Sequence, residues 1–165
     1  MTKFVFHGHN LHDTERLGAA LAEFLPDRSV LGLSGTLGAG KTRLVQALAN
    51  HCGIDRQTVT SPTFVLCQEY HGQRSVYHFD VYRLKDEAEF LALGPEEYFN
   101  SPGITLVEWA DRLTESLPPA RLDIAIRVTG EETREFEISV WGARYEAVLE
   151  KLRDRLTTSS NGASH

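Results

Sequence analysis

Several absences narrow the sequence before any motif is read. No apolar run approaches the ~18 residues that a membrane-crossing helix needs. The opening Met1-Thr2-Lys3-Phe4-Val5-Phe6-His7 lacks the long apolar segment of a secretory signal. A cytoplasmic protein with no membrane contact is expected. Cysteine is scarce: Cys52 and Cys67 are the only two, too few and too poorly spaced for a disulfide framework or a metal knuckle, so they read as reduced thiols. A positive charge excess is missing too. The chain carries 17 Lys and Arg against 23 Asp and Glu, a formal charge of −6, which opposes broad nucleic-acid binding driven by counterion release. DNA is therefore set aside as a partner, and any contact with RNA has to be local or partner-assisted. His7, His9 and His12 cluster in sequence, but strand-to-helix geometry scatters them and no fourth ligand is in view, so no metal is assigned there.

What is there is organised by Gly35-Thr36-Leu37-Gly38-Ala39-Gly40-Lys41-Thr42, which fits G-x-x-x-x-G-K-[ST], the Walker A phosphate loop. The flanks have the order that loop requires. Val30-Leu31-Gly32-Leu33 reads as a buried strand before it; Leu44, Val45, Leu48 and Ala49 recur at helical spacing after it, and Gly53 stops the helix. Glycines let the backbone curl so that successive N–H groups of Gly35, Leu37, Gly38, Ala39 and Gly40 can face an anion, and the helix adds its positive end. Lys41 reaches the β/γ-phosphates of a bound nucleotide in such a loop, and Thr42 offers its hydroxyl to Mg²⁺.

At 165 residues and 41% hydrophobic content the chain suits one domain, placed over residues 1–156. Phe4-Val5-Phe6 predicts a first strand, and Asn10 a cap for a helix ended by Pro26-Asp27. Ile54 to Thr63 is a polar connection holding Ser61-Pro62-Thr63, a candidate γ-phosphate sensor or equally a plain turn into the next strand. Phe64–Tyr70 and Ser75–Tyr82, joined across Gly72, predict a hairpin, which makes the sheet mixed; Leu122–Val128 and Arg134–Val140 predict a second. Asp86 through Leu93 reads as a short helix and Glu96 to Phe99 as another helical turn, with a buried strand at Ile104-Thr105-Leu106-Val107 between them and Pro118-Pro119. A helix from Ala143 to Leu156 closes the domain, and the small polar residues 157–165 predict a disordered tail.

Two acids end strands. Asp80 follows Val76-Tyr77-His78-Phe79, and Glu108 follows Ile104-Thr105-Leu106-Val107. Either could serve as the acid that contacts Mg²⁺, directly or through water, with the other orienting the attacking water. Trp109 either packs near the nucleotide or fills the core. Arg83 and Arg134 are candidate phosphate or partner contacts.

Together these motifs resemble the TsaE (YjeE) family of small ATPases that serve threonylcarbamoyladenosine modification of tRNA. The likeness runs from about Leu17 to Val140 and rests on Gly35–Thr42, Ser61-Pro62-Thr63-Phe64, Tyr77-His78-Phe79-Asp80-Val81-Tyr82-Arg83 and Leu106-Val107-Glu108-Trp109. It implies a P-loop NTPase-like three-layer α/β/α fold with a central mixed sheet, Mg-ATP at the loop, and Thr42 and Glu108 at the metal with Asp80 close by. It implies further that Ser61-Pro62-Thr63 is a switch-like segment and that the Trp109 to Arg112 turn and Arg134 lie near the nucleotide. Family members are weak ATPases alone; they bind TsaB and TsaD and hydrolyse ATP to reset that pair, meeting tRNA only through the complex. One departure is Thr36, where the family usually carries Asp. The alternative is a small-molecule kinase on the same loop, against which stand the lack of an Asp-x-Asp after a strand and of an arginine-rich lid. A GTPase-like switch lacks its Asn-Lys-x-Asp base reader here.

Overall fold

Residues 1–60 and 67–161 are described by the computed structural model. In chain order the elements are β1 (Thr2–Gly8), α1 (Leu11–Phe24), β2 (Ser29–Gly35), α2 (Lys41–His51), β3 (Cys67–His71), β4 (Ser75–Asp80), α3 (Glu87–Leu91), α4 (Pro95–Phe99), β5 (Ile104–Glu108), β6 (Arg121–Val128), β7 (Arg134–Trp141) and α5 (Ala143–Asn161). Among the described residues seven strands make one sheet, ordered β1-β7-β6-β2-β5-β4-β3. The two expected hairpins are present as antiparallel pairs, β3 with β4 and β6 with β7, and β1 closes antiparallel on β7. The centre is parallel: β2 pairs with β5 and β6, and β5 with β4.

Side-chain alternation sorts the core into two layers. Leu31 and Leu33 of β2 join Ile104 and Leu106 of β5 and Leu122 and Ile124 of β6 in one buried cluster with Leu17 and Leu21 of α1, Leu44 and Leu48 of α2, and Leu149 and Leu152 of α5. Val30, Val107 and Phe79 point the other way, into a smaller cluster with Phe90 of α3 and Phe99 of α4. Helices thus cover both faces of a mixed sheet, the three-layer arrangement of a P-loop NTPase-like α/β fold. No helix among the described residues is long and apolar enough to cross a membrane.

Local chemistry sets the element ends. The Asn10 side chain accepts from the Asp13 N–H at the start of α1, and Leu25, ahead of Pro26, is already extended. Asp86 caps α3 through the Glu89 N–H. One boundary is corrected. The sequence reading ends the last helix at Leu156 and begins a tail at Thr157, but α5 continues to Asn161. Extending an existing helix costs far less than starting one; within it, Arg16 Nη2 donates to the Leu156 carbonyl at 3.0 Å.

The helix that carries Lys41 is held by a close approach at Gly18. A Cβ there would sit 2.5 Å from the Ala47 Cβ and 2.8 Å from the Leu48 nitrogen, so α1 and α2 touch backbone to backbone. Alanine would gain at most about 1 kcal/mol of helix propensity over glycine, whereas overpacking costs about 1–3 kcal/mol. Gly18→Ala should therefore destabilise the fold by a net of up to ~2 kcal/mol, seen as a lower urea midpoint; an unchanged midpoint would show that the two helices part freely.

Candidate functional site

The site is delivered by three parallel strands that end together. Leu33 of β2 lies opposite Glu108 of β5, and Glu108 opposite Asp80 of β4. Their carboxyl ends share one edge, the side on which open α/β sheets bind ligands. By the two-residue period Glu108 shares a face with Ile104 and Leu106, and Asp80 with Val76 and His78. Ile104, Leu106 and Val76 belong to the cluster beneath α1 and α2, so both acids face the helix that starts at Lys41.

Between β2 and α2 the backbone turns through Gly35, Gly38 and Gly40, with φ of +146°, +81° and +111°. These glycines are needed for two different reasons. A side chain at Gly35 would meet the Ile126 carbonyl oxygen at 2.7 Å, whereas Gly38 and Gly40 face open space and need only their left-handed backbone. Gly40 begins α2 with no side-chain cap, which leaves the first N–H groups of the helix open to an anion. Ala39 is fully buried beneath the loop and Leu37, at its tip, is 77% exposed.

Lys41 is buried, and its Nζ donates to the carbonyls of Gly35 at 2.6 Å and Thr36 at 2.9 Å. Burial pushes its ammonium below the ordinary lysine value, while Glu108, Asp80 and Asp111 pull in the opposite direction. Beside it, Thr42 Oγ1 donates to both carboxylate oxygens of Glu108 at 3.1 Å. Glu108 is 2% exposed. Asp80, also buried, accepts from the Tyr82 N–H at 3.0 Å, which turns the chain after β4. A hydroxyl and a carboxylate meeting beside a phosphate loop form the hard-oxygen set that Mg²⁺ takes together with phosphate oxygens.

Trp109 packs against the second core cluster, and its ring lies 3.8 Å from Lys41 Nζ. Its φ of +66° is rare for a bulky side chain. The Tyr82 ring packs tilted against it, 38° between planes and 4.8 Å between centroids, and Arg112 lies over both rings while Nη1 donates to the Tyr82 carbonyl at 2.6 Å. Arg134 Nε donates to the Ala39 carbonyl at 3.0 Å, and its Nη1 to those of Gly130 and Thr133 at 3.1 and 2.9 Å. That guanidinium braces the loop from the β6–β7 turn. Arg83 is exposed. Ser61-Pro62-Thr63 lies outside the described residues, and among the described residues no cluster of His, Cys, Asp and Glu, the amino-terminal histidines included, could hold a metal by itself.

Sequence reasoning gave no role to His78. Its Nε2 is 2.5 Å from Glu108 Oε2 and its ring is wholly inaccessible. The available signal was the two-residue spacing from Asp80, which puts His78 on the same face of β4.

A glycine loop joining a central parallel strand to a helix, with acids at the neighbouring strand ends, defines a P-loop NTPase-like α/β protein. A family model described as "Threonylcarbamoyl adenosine biosynthesis protein TsaE" matches residues 8–136. The chain belongs to the TsaE family. It is 43% identical over 144 residues to the Bacillus subtilis "tRNA threonylcarbamoyladenosine biosynthesis protein TsaE", covering 87% of this chain and 89% of that protein. The Treponema pallidum protein of the same name is 39% identical over 127 residues, covering 77% of this chain and 93% of its own. The crystal structure of Bacillus subtilis YdiB superposes with a TM-score of 0.76 at 35% identity, covering 92% of this chain and 94% of that one.

The direction of the Lys41 shift fixes a pH dependence. With the folded value below 10.5, the unfolded chain binds more protons at this residue between the two values, so stability gained through Lys41 rises with pH across that window. In urea titrations from pH 7 to pH ~10.5, the wild type should gain stability relative to Lys41→Met as pH rises. A difference that stays constant would mean that the ammonium is not desolvated.

Proposed function

We propose that this protein is a cytoplasmic Mg²⁺-dependent ATPase, weak alone, that acts on a TsaB–TsaD pair in threonylcarbamoyladenosine modification of tRNA and resets that pair through ATP hydrolysis. The observation that carries the reading is the meeting of Thr42 and Glu108 beside Lys41 at the mouth of the glycine loop. Family membership and the names of the relatives support the pathway. The sheet-end geometry supports the chemistry.

Each residue has a role that follows from its place. The loop amides from Gly35 to Gly40 receive phosphate oxygens, with Leu37 and Ala39 contributing backbone. Lys41 exchanges the Gly35 and Thr36 carbonyls for the β/γ-phosphates, where its charge is worth most as negative charge gathers. Thr42 and Glu108 hold Mg²⁺, and Asp80 either supports the metal or orients the attacking water. Bound Mg²⁺ supplies neutralisation of the phosphoryl oxygens. Trp109 borders the phosphates through its contact with Lys41, and Arg134 holds the loop in shape. Ser61-Pro62-Thr63 is the switch-like segment that responds to the γ-phosphate, and tRNA is met through the complex.

The test is phosphate release from Mg-ATP by the purified protein, alone and with TsaB and TsaD from the same source. Slow release that the pair accelerates is the expected result. No acceleration would overturn the partner role, and turnover dependent on an added metabolite would identify a kinase instead. Lys41→Ala should cut kcat/KM by about 10²-fold or more; hydrolysis at the wild-type rate would remove the loop from the mechanism.

A further inference from the structure

The most enclosed polar contact in the site belongs to a residue outside the phosphate machinery. His78 sits in β4 between β3 and β5, opposite Gln68 on one side and Leu106 on the other. Its ring is fully buried and packs against Tyr70 at 6.2 Å between centroids. Nε2 reaches Glu108 Oε2 at 2.5 Å, shorter than either contact from Thr42. The opposite nitrogen, Nδ1, is buried without a hydrogen-bond partner among the described residues.

These facts bear on why an imidazole is there. A buried polar atom without a partner costs free energy, and an apolar side chain of similar size would fill the space without that cost. The gain therefore lies at Nε2. Glu108 already accepts from Thr42, and an ionised carboxylate only accepts, so Nε2 carries the proton and donates. That bond engages Oε2 from the strand side and fixes the carboxylate plane. Thr42 cannot do this alone: its single proton is shared between two oxygens at equal distance, and its hydroxyl is itself one of the groups assigned to the metal.

We propose that His78 is a positioning residue for Glu108: its Nε2–H locks the carboxylate so that Oε1 and the Thr42 hydroxyl present a fixed pair of oxygens to a divalent cation. The inference rests on the metal-holding role proposed for Glu108. It has the logic of an outer-shell partner, which orients a ligand without touching the metal.

Three variants separate this role from packing. His78→Gln keeps an N–H near the position of Nε2. His78→Asn carries its amide nearer the backbone, short of Glu108, and His78→Leu has no donor. Mn²⁺ is the probe, titrated by electron paramagnetic resonance in the presence of a non-hydrolysable ATP analogue, with nucleotide affinity also measured in EDTA and folding checked by thermal melts. His78→Leu and His78→Asn should weaken Mn²⁺ binding by about 10- to 100-fold, with His78→Gln returning to within about threefold of wild type. Metal-free nucleotide affinity should change in none of them, because Lys41 and the loop amides are untouched. In the free wild-type protein, the imidazole ¹H–¹⁵N spectrum should show a protonated Nε2 protected from exchange and a bare Nδ1.

A Gln variant as weak as Asn would overturn the proposal, since packing alone would then explain the histidine. So would wild-type Mn²⁺ binding in Asn, which stands in should Leu fail to fold, or an unprotonated Nε2. A wild-type protein that binds no Mn²⁺–nucleotide would refute the ATPase reading and this role with it. Normal wild-type binding with unaffected variants would refute this role alone.

Discussion

The register of β2, β5 and β4 is the constraint on which the site depends. A slip of one residue would turn Glu108 to the opposite face and expose Ile104 and Leu106 to the wrong layer. The two-sided core resists such a slip. Ile104 and Leu106 are committed to the cluster under α1 and α2, while Val107 is committed to the cluster with Phe90 and Phe99, so either shift loses burial on both faces. Asp80 and Glu108 are thereby pinned side by side on neighbouring strands. The chemistry inherits its precision from hydrophobic packing on both faces of β5.

With the register fixed, the electrostatics follow from proximity. One lysine and two acids occupy a region where each is less than a tenth exposed, and a buried charge is tolerated only when paired and hydrogen-bonded. The loop meets that condition internally: Lys41 donates to the Gly35 and Thr36 carbonyls, and Glu108 accepts from Thr42 and is hydrogen-bonded to His78. Hydrogen bonds to charged groups contribute about 1.5–3 kcal/mol each, so these contacts keep the lysine in place.

Much of this was legible because it is written locally. The glycine loop, the Asn10 cap, the stop at Pro26, both hairpins and the strand-end acids are patterns of a few adjacent residues, and all of them stand in the structure. What was not legible depends on partners distant in the chain. The bond between His78 and Glu108 spans a strand pairing, and no local pattern tells which residue a strand histidine will face. Arg134 bracing Ala39 joins the second hairpin to the phosphate loop across 95 residues. The extension of α5 to Asn161 escaped because propagating an existing helix costs far less than starting one, so weak helix formers are carried at its end. Thr36, which differs from the family's usual residue, contributes a carbonyl to Lys41, and a carbonyl is available from any residue type.

The departures from local preference gather at one end of the sheet. Trp109 is held at φ +66°, a conformation that costs about 1–3 kcal/mol for a residue of this kind; Lys41 is desolvated, and His78 Nδ1 has no hydrogen-bond partner among the described residues. Arg28, the other non-glycine residue at positive φ among the described residues, lies just before β2 at the opposite end, where its N–H bonds the Gly103 carbonyl in an ordinary connection. Trp109 is held differently. Its ring packs against Tyr82 and Arg112 and touches Lys41, so the strain is supported by contacts that run between the segments following Asp80 and Glu108. That support ties the two acids to the lysine through side chains as well as through the strands, so a displacement of either strand end reaches Lys41.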